Sequence, residues 1–89
     1  MDCLWDEAKN MINSKKHGVS FSDASGFEWR RALTLLDERT DYGEERFVSI
    51  STIDERLHVM VWTPRGDQKR IISLRKANKR EEVFYAGKK

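Results

Sequence analysis

Basic side chains are concentrated in the last third of this 89-residue chain. Segment 65–80 contains one acidic residue, Asp67, and seven basic ones: Arg65, Lys69, Arg70, Arg75, Lys76, Lys79 and Arg80. Apolar residues at 71, 72 and 74 interrupt the series, which predicts a strand that carries the charges on a folded scaffold. Residues 1–64 have eight basic and twelve acidic side chains and residues 65–89 have nine and three, so a net charge of −4 precedes one of +6. This asymmetry favours a phosphate-rich ligand, an acidic protein partner, or both in competition.

Length and composition exclude several classes of protein. A chain of 89 residues forms one domain, 1–89, with no room for a second core. Cys3 is the only cysteine, so an intrachain disulfide and a cysteine-based metal site are excluded. The sequence has no apolar stretch of signal-peptide or membrane-spanning length, and we expect a cytoplasmic protein with no membrane association. It has no motif for nucleotide, zinc or calcium binding, and we expect no cofactor and no metal.

The N-terminal third predicts two helices. Asp6 is suited to cap a first helix, which places Met11 and Ile12 on one face and ends at Gly18 after a cationic last turn. A second, short helix follows, with Phe27 facing inward.

The period of the apolar pattern changes to two after Ala32, which predicts strands. The second strand is predicted at 46–52, and the third, at 57–63, is apolar on both faces and should lie in the middle of the sheet. The basic segment forms the fourth strand, and the pattern becomes helical after Ala77. Short connections predict the α+β class: two N-terminal helices, a four-stranded, mostly antiparallel sheet and a C-terminal helix. We expect the helices to cover one sheet face and the other to stay partly open for binding.

Three strings of residues closely resemble the BrnT toxin family: KHGVSF (16–21), ALTLLDERTDYGEERFVSI (32–50) and RIISLRKANKRE (70–81). The likeness extends over nearly the whole chain. BrnT-like proteins are toxins of bacterial type II toxin–antitoxin modules and resemble the RelE superfamily in fold. The resemblance implies a metal-independent ribonuclease that inhibits translation and is neutralised by a cognate antitoxin with a ribbon-helix-helix DNA-binding part. It also implies that operator DNA is bound only through that antitoxin.

Metal-free RNA cleavage requires a base for the ribose hydroxyl, cations for the phosphate and its developing charge, and an acid for the leaving oxygen. Arginine suits the phosphate because its fork binds two oxygens, and we expect Arg70, Arg75 and Arg46 in this role. Arg70 and Arg75 point to opposite faces of a regular strand, so both can serve only if the strand bulges or ends between them. The alternative is surface ion pairing with one of three acids, Glu38, Glu44 or Glu81.

Four further residues are candidates for proton transfer or orientation. Lys76 and Tyr85 are suited to transfer protons or stack on bases, and RelE-like enzymes keep a tyrosine near the C-terminus. Tyr85 fits a core position with a wet hydroxyl equally well. His17 has the most suitable ordinary pKa, but at a helix C-terminus we prefer the role of a capping cation over catalysis. Glu38 is suited to orient a base or an arginine, although a turn rich in acids also arises for solubility alone.

The remaining basic candidates are assigned to the RNA backbone: Arg65, Lys69, Lys79, Arg80 and Arg39. Two other functions fit the same residues. One is a non-catalytic RNA-binding module, and the other is an interaction protein whose basic face holds an acidic antitoxin segment. Three tryptophans are interpreted as core anchors rather than as base-stacking platforms: Trp5, Trp29 and Trp62.

Overall fold

A computed structural model describes residues 3–38 and 43–88 of the chain. Its helices are α1 (Glu7–His17) and α2 (Lys79–Lys88), with two 3₁₀ helices at Phe21–Gly26 and Trp29–Arg31. Its strands are β1 (Cys3–Leu4), β2 (Leu33–Leu36), β3 (Phe47–Ile53), β4 (Arg56–Arg65) and β5 (Gln68–Lys76). The strand order is β1-β5-β4-β3-β2, with β1 parallel to β5 and all other neighbours antiparallel. The apolar third strand of the prediction is β4, which lies in the middle of the sheet as expected.

The predicted number of strands is wrong, and the second N-terminal helix is only partly as predicted. The sheet has five strands rather than four, because Cys3 and Leu4, near the N-terminus, form a short strand that pairs with Lys69 and Arg70 of β5. A two-residue strand is too short to give a period of two in the sequence. The second N-terminal helix is a pair of short 3₁₀ helices; the first begins with Ser20 accepting a hydrogen bond from the Ser22 N–H.

Helix α1 has the predicted ends, and its large apolar side chains lie on its exposed side. Asp6 accepts hydrogen bonds from the backbone N–H groups of the first turn, and Gly18 closes the helix with a φ of 72°. Met11 and Ile12, however, are 60% and 67% exposed. The buried residues of this helix are asparagines, which bond to backbone groups of the following loop and of β5.

The helices cover both sheet faces rather than one. Helix α1 and the 3₁₀ helix at Phe21–Gly26 pack over one face, where the core contains Val19, Phe21, Ala24, Phe27, Ile53, Met60, Ile71 and Leu74. The three tryptophans are partly buried against this core, as predicted. The opposite face has a second core that includes a residue of α2: Ile50, Leu57, Val59, Ala77 and Tyr85. Each fully buried side chain of the size of valine, leucine, isoleucine, phenylalanine or methionine stabilises the fold by about 1.5–3 kcal/mol. Both small cores therefore contribute to the stability of the sheet.

Candidate active site and nucleic-acid interface

A bulge in β5 decides where its arginines point. Val61 pairs with Ser73 but Trp62 pairs with Ile71, so Ile72 is an extra residue without a partner on β4. Before the bulge Arg70 pairs with Thr63, and after it Arg75 pairs with Val59. Positions 59, 61 and 63 of β4 share one face, and paired residues of neighbouring strands lie on the same face. The bulge therefore places both arginines on the face that carries α2, which a regular strand would not do.

The shared face does not bring the three predicted arginines to one phosphate. Arg70 and Arg75 lie at opposite ends of β5, and a rise of about 3.3 Å per residue puts their Cα atoms about 15 Å apart. Arg46 immediately precedes β3, and the β3–β4 register, continued by one residue, places it opposite Thr63. Thr63 lies between Arg46 and Arg70 in this row. Arg46 and Arg70 thus form one group, and Arg75 belongs to another.

The first basic group consists of Arg46, Arg65, Lys69 and Arg70, at the end of the sheet where β5 begins. Glu44 bridges two of them, 3.4 Å from Arg46 Nε and 3.5 Å from Arg65 Nη2. The Lys69 ammonium lies 4.7 Å from the ring centroid of Trp29 and 4.8 Å from that of Trp62, a cation–π geometry. Within 3–38 and 43–88, the Arg70 guanidinium forms no hydrogen bond or ion pair.

Arg75 is held by a two-pronged ion pair with Glu81 of α2. Its Nη1 and Nη2 donate to the two carboxylate oxygens at 2.7 and 2.6 Å. Glu81 also accepts from the Asn78 N–H, and Asn78 Oδ1 accepts from the Glu81 N–H, which is a capping box at the start of α2. The hydrogen bonds from Arg75 are the main cause that lowers the pKa of Glu81. The ion-pair alternative is thus realised for Arg75, as it is for Arg46 with Glu44.

Glu38 lies near this ion pair. It follows β2 and lines a groove of about 320 Å³ on the α2 face of the sheet, together with Arg75 and Glu81. Asp37 and leucine and valine side chains of β2, β3 and β4 line the rest of the groove. The groove therefore contains both Glu38 and Arg75. Glu38 lies at the Arg46 end of the sheet, where the Asp37 N–H donates to the Arg46 carbonyl, and Arg75 lies towards the other end.

His17 is the last residue of α1 and lines a second groove, of about 210 Å³, beside β5. This His17 groove is formed by Lys9, Ile12, Lys16, His17, Ile72 and Ser73, with Asn13 at its base. Partial burial lowers the pKa of His17 below its ordinary value of 6.5, and the positive charges of Lys16 and Arg75 lower it further. A capping cation would have its charged form favoured by the helix C-terminus. The observed direction favours the neutral imidazole instead.

The remaining predicted residues occupy different places. Lys76 ends β5, Lys79 and Arg80 begin α2, and all three are exposed. Tyr85 is 8% exposed in the second core, and its hydroxyl donates to the Arg31 carbonyl at 2.7 Å. This position corresponds to the core alternative. Arg39 lies outside the described residues.

The sequence interpretation missed the residues that surround His17. Lys16 was considered only as part of a helix end and Ser73 not at all, yet both line the His17 groove. The basic pair that precedes Gly18 was the available signal for Lys16, because two cations and a histidine at one helix end form an anion-binding group as readily as a cap. No local signal identifies Ser73, since only the bulge sets its surroundings.

Residues 3–38 and 43–88 contain no group of three or more His, Cys, Asp or Glu side chains arranged to hold a metal ion. No helix in these two segments has the length and apolarity needed to cross a membrane.

Comparison with known proteins identifies the family. A family model described as the ribonuclease toxin BrnT of type II toxin–antitoxin systems matches residues 5–81. The crystal structure of the Brucella abortus ribonuclease toxin BrnT is similar, with a TM-score of 0.70 and 25% sequence identity over 89% of this chain and 99% of that one. A search of curated proteins returned no significant match. The chain therefore belongs to the BrnT family of ribonuclease toxins of type II toxin–antitoxin systems.

Proposed function

We propose that this toxin cleaves RNA without a metal ion, at a site formed by His17, Lys16 and Arg75. The observation that carries this assignment is the position of His17 in a groove beside β5, with Lys16 in the same groove and Arg75 close enough to lower its pKa. A general base must be unprotonated at the working pH, and a lowered pKa meets that requirement. Lys16 shares the groove of His17, and the positive charge of Arg75 acts on His17 from the α2 face; we assign both cations to the phosphate and its developing charge.

Each residue has a distinct role in this proposal. His17 removes the proton from the ribose 2′-hydroxyl, which then attacks the adjacent phosphorus and displaces the 5′-oxygen of the next nucleotide. Arg75, fixed by Glu81, supplies a positive charge that does not move during the reaction. Lys76 is exposed at the end of β5 and protonates the leaving oxygen. The Glu38 carboxylate lies in the groove that it shares with Arg75 and acts indirectly, by orienting the Arg75 guanidinium.

The first basic group binds the RNA backbone away from the cleaved bond. Arg70 and Arg75 are on one sheet face about 15 Å apart, so an extended single strand of a few nucleotides spans them. Arg46 and Arg65 extend the positive surface beside Arg70, Lys69 adds a positive charge on the other sheet face at the same end, and these cations contribute salt-dependent affinity. Lys79 and Arg80 bind the backbone on the other side of the site, and Arg39 remains a proposed RNA contact.

Toxin–antitoxin membership supplies the partner of this proposal. The antitoxin carries a ribbon-helix-helix DNA-binding part, and operator DNA is bound only through it. A RelE-like fold and a cytoplasmic location, where translated RNA is found, complete the proposal. The net charge of +6 on residues 65–89 supports RNA binding by the basic C-terminal third of the chain.

The test is cleavage of single-stranded RNA by the purified protein in the presence of a chelator. We expect His17→Gln to lower kcat by about 10²–10⁴, the usual contribution of a general base. The wild-type rate should rise with pH through a midpoint below 6.5, because His17 must lose its proton and its pKa is lowered. Lys16→Gln should slow cleavage, whereas Lys15→Gln, an exposed neighbour outside the groove, serves as its matched control.

Three outcomes would contradict the proposal or a part of it. Cleavage that stops in chelator and returns with a divalent ion would contradict the metal-free mechanism. Salt-sensitive RNA binding without any cleavage by the wild-type protein would favour the non-catalytic binding module. Retention of full activity and an unchanged pH profile in His17→Gln would remove His17 from the site.

A further inference from the structure

The outer face of α1 has an apolar patch that the fold leaves uncovered. Met11 and Ile12 are 60% and 67% exposed, whereas Asn10 and Asn13 are 8% and 6% exposed on the inner face. The inner asparagines are needed there because they bond to backbone groups of Phe21 and Leu74. The folding of this domain thus explains the buried face of α1 but not the exposed pair of large apolar side chains.

Positive charges flank Ile12 in this patch. The helix positions three or four residues from Ile12 include Lys9, Lys15 and Lys16, and such positions are its neighbours on the helix surface. Lys9 and Lys16 also line the His17 groove together with Ile12. The one acid of the helix, Glu7, is four residues before Met11, and its carboxylate accepts hydrogen bonds from the side chains of Trp5 and Asn10. The patch therefore has a cationic rim around Ile12, and on that side it leads directly to His17.

The neighbouring edge of β5 limits how a partner can bind. The Asn13 side chain donates to the Leu74 carbonyl at 2.8 Å and accepts from the Leu74 N–H at 3.2 Å. A strand added at this edge would need the same two backbone groups. Asn13 blocks strand addition at Leu74, so a partner on this side contacts the patch through its side chains.

We propose that an acidic, amphipathic segment of the antitoxin docks on this patch. Its apolar side chains cover Met11 and Ile12, and its carboxylates pair with Lys9 and Lys16. Because the patch continues into the His17 groove, the bound segment also covers His17 and excludes RNA. The neutralising effect of this contact rests on the proposed function of His17, whereas the contact itself rests on the exposed apolar pair and its cationic rim.

The test measures the Kd of the purified antitoxin, encoded beside this toxin, for variants of the toxin. RNA cleavage does not enter this measurement. We expect Ile12→Glu to raise the Kd by about tenfold or more, because it replaces an apolar contact residue with a negative charge that the acidic segment repels. Lys9→Glu should also weaken binding and reduce its dependence on salt. Val83→Glu is the matched control, since Val83 is 66% exposed on α2 and lies away from the patch. Ile12→Glu and Lys9→Glu should fold normally, because both positions are exposed.

The outcomes separate this inference from the proposed function. Equal antitoxin affinity of Ile12→Glu and wild type, with Val83→Glu weakened, would overturn the docking site and assign the contact to α2. A change in the oligomeric state of the free toxin on Ile12→Glu would overturn it in favour of a second copy of this chain. If antitoxin binding weakens as expected but His17→Gln still cleaves RNA, the docking site stands and the catalytic assignment fails. Unbound Met11→Glu, at an exposed position of the patch outside the His17 groove, should cleave RNA at the wild-type rate and resist inhibition by the antitoxin.

Discussion

Replacement of Glu81 by glutamine tests the contact that fixes Arg75. Glutamine keeps a carbonyl oxygen that can accept from the Asn78 N–H, so the capping box of α2 is preserved. It offers Arg75 one acceptor instead of two and no negative charge. The paired hydrogen bonds at 2.6 and 2.7 Å are therefore replaced by one hydrogen bond to an uncharged amide. The variant therefore isolates the charge of Glu81 from its role in helix capping.

The expected loss follows from the geometry of the pair. The side chains of Arg75 and Glu81 are 34% and 23% exposed, so solvent screens the attraction in part. An exposed ion pair contributes up to about 1 kcal/mol, and the two-pronged geometry places this pair at the upper end of that range. We expect Glu81→Gln to lower the free energy of unfolding by about 1 kcal/mol at neutral pH. For a domain of this size, that corresponds to a decrease in Tm of about 4–8 °C.

The pH dependence of this loss has a definite sign. The pKa of Glu81 is lowered in the folded state from its ordinary value of 4.5, chiefly by the hydrogen bonds from Arg75. A carboxyl group with a depressed folded pKa stabilises the protein fully above its unfolded pKa and loses that effect as the pH falls through the folded value. The difference in stability between wild type and Glu81→Gln should therefore be constant well above pH 4.5 and shrink as the pH falls below 4.5.

Thermal unfolding followed by circular dichroism across this pH range measures the difference. Glu82→Gln is the control, because it removes a charge from the same turn of α2, and within the described residues the Glu82 side chain has no contact with Arg75. A difference that stays constant from about pH 7 to pH 3 would refute the reasoning. So would an equal loss in Glu82→Gln, since it would assign the effect to the helix dipole.

Two further predictions concern stability. Asn13→Ala should lower the free energy of unfolding, measured in urea, by about 3 kcal/mol, because it leaves both backbone groups of buried Leu74 without their partner. Met11→Ala, at an exposed position of the same helix, should change the free energy of unfolding by less than about 0.5 kcal/mol. Similar losses in both variants would refute the role of Asn13. Tyr85→Phe should lower the free energy of unfolding by about 1 kcal/mol through loss of the bond to the Arg31 carbonyl while RNA cleavage continues unchanged; a large loss of activity in a folded Tyr85→Phe protein would instead return Tyr85 to the catalytic candidates.

The second core and the ion pairs explain why some residues that were predicted to be catalytic make structural contacts in the folded protein. Tyr85 was a candidate because it lies near the C-terminus, but the packing of α2 directs its ring into the second core. Arg46 was a candidate because of its charge, and Glu44, two residues away, binds it. His17 was assigned to helix capping from its position in the chain. Its partial burial, which with the charges of Lys16 and Arg75 lowers its pKa, belongs to the tertiary structure, and on that basis we propose the role of a base instead.

Local interactions alone determined several features of this protein. Asp6 and Gly18 set the ends of α1 because capping involves only neighbouring backbone groups. The apolar residues on both faces of β4 made it a central strand, and the charge asymmetry placed the basic surface in the last third of the chain.

Contacts between distant residues decided the rest. The bulge at Ile72 exists because of the pairing between β4 and β5, and it alone places Arg70 and Arg75 on one face. Asn13 is buried because its partner Leu74 lies 61 residues away, so Met11 and Ile12 face outward despite their apolar side chains. Sequence periodicity records which residues are apolar. Only the assembled sheet determines which polar groups have partners that make their burial favourable.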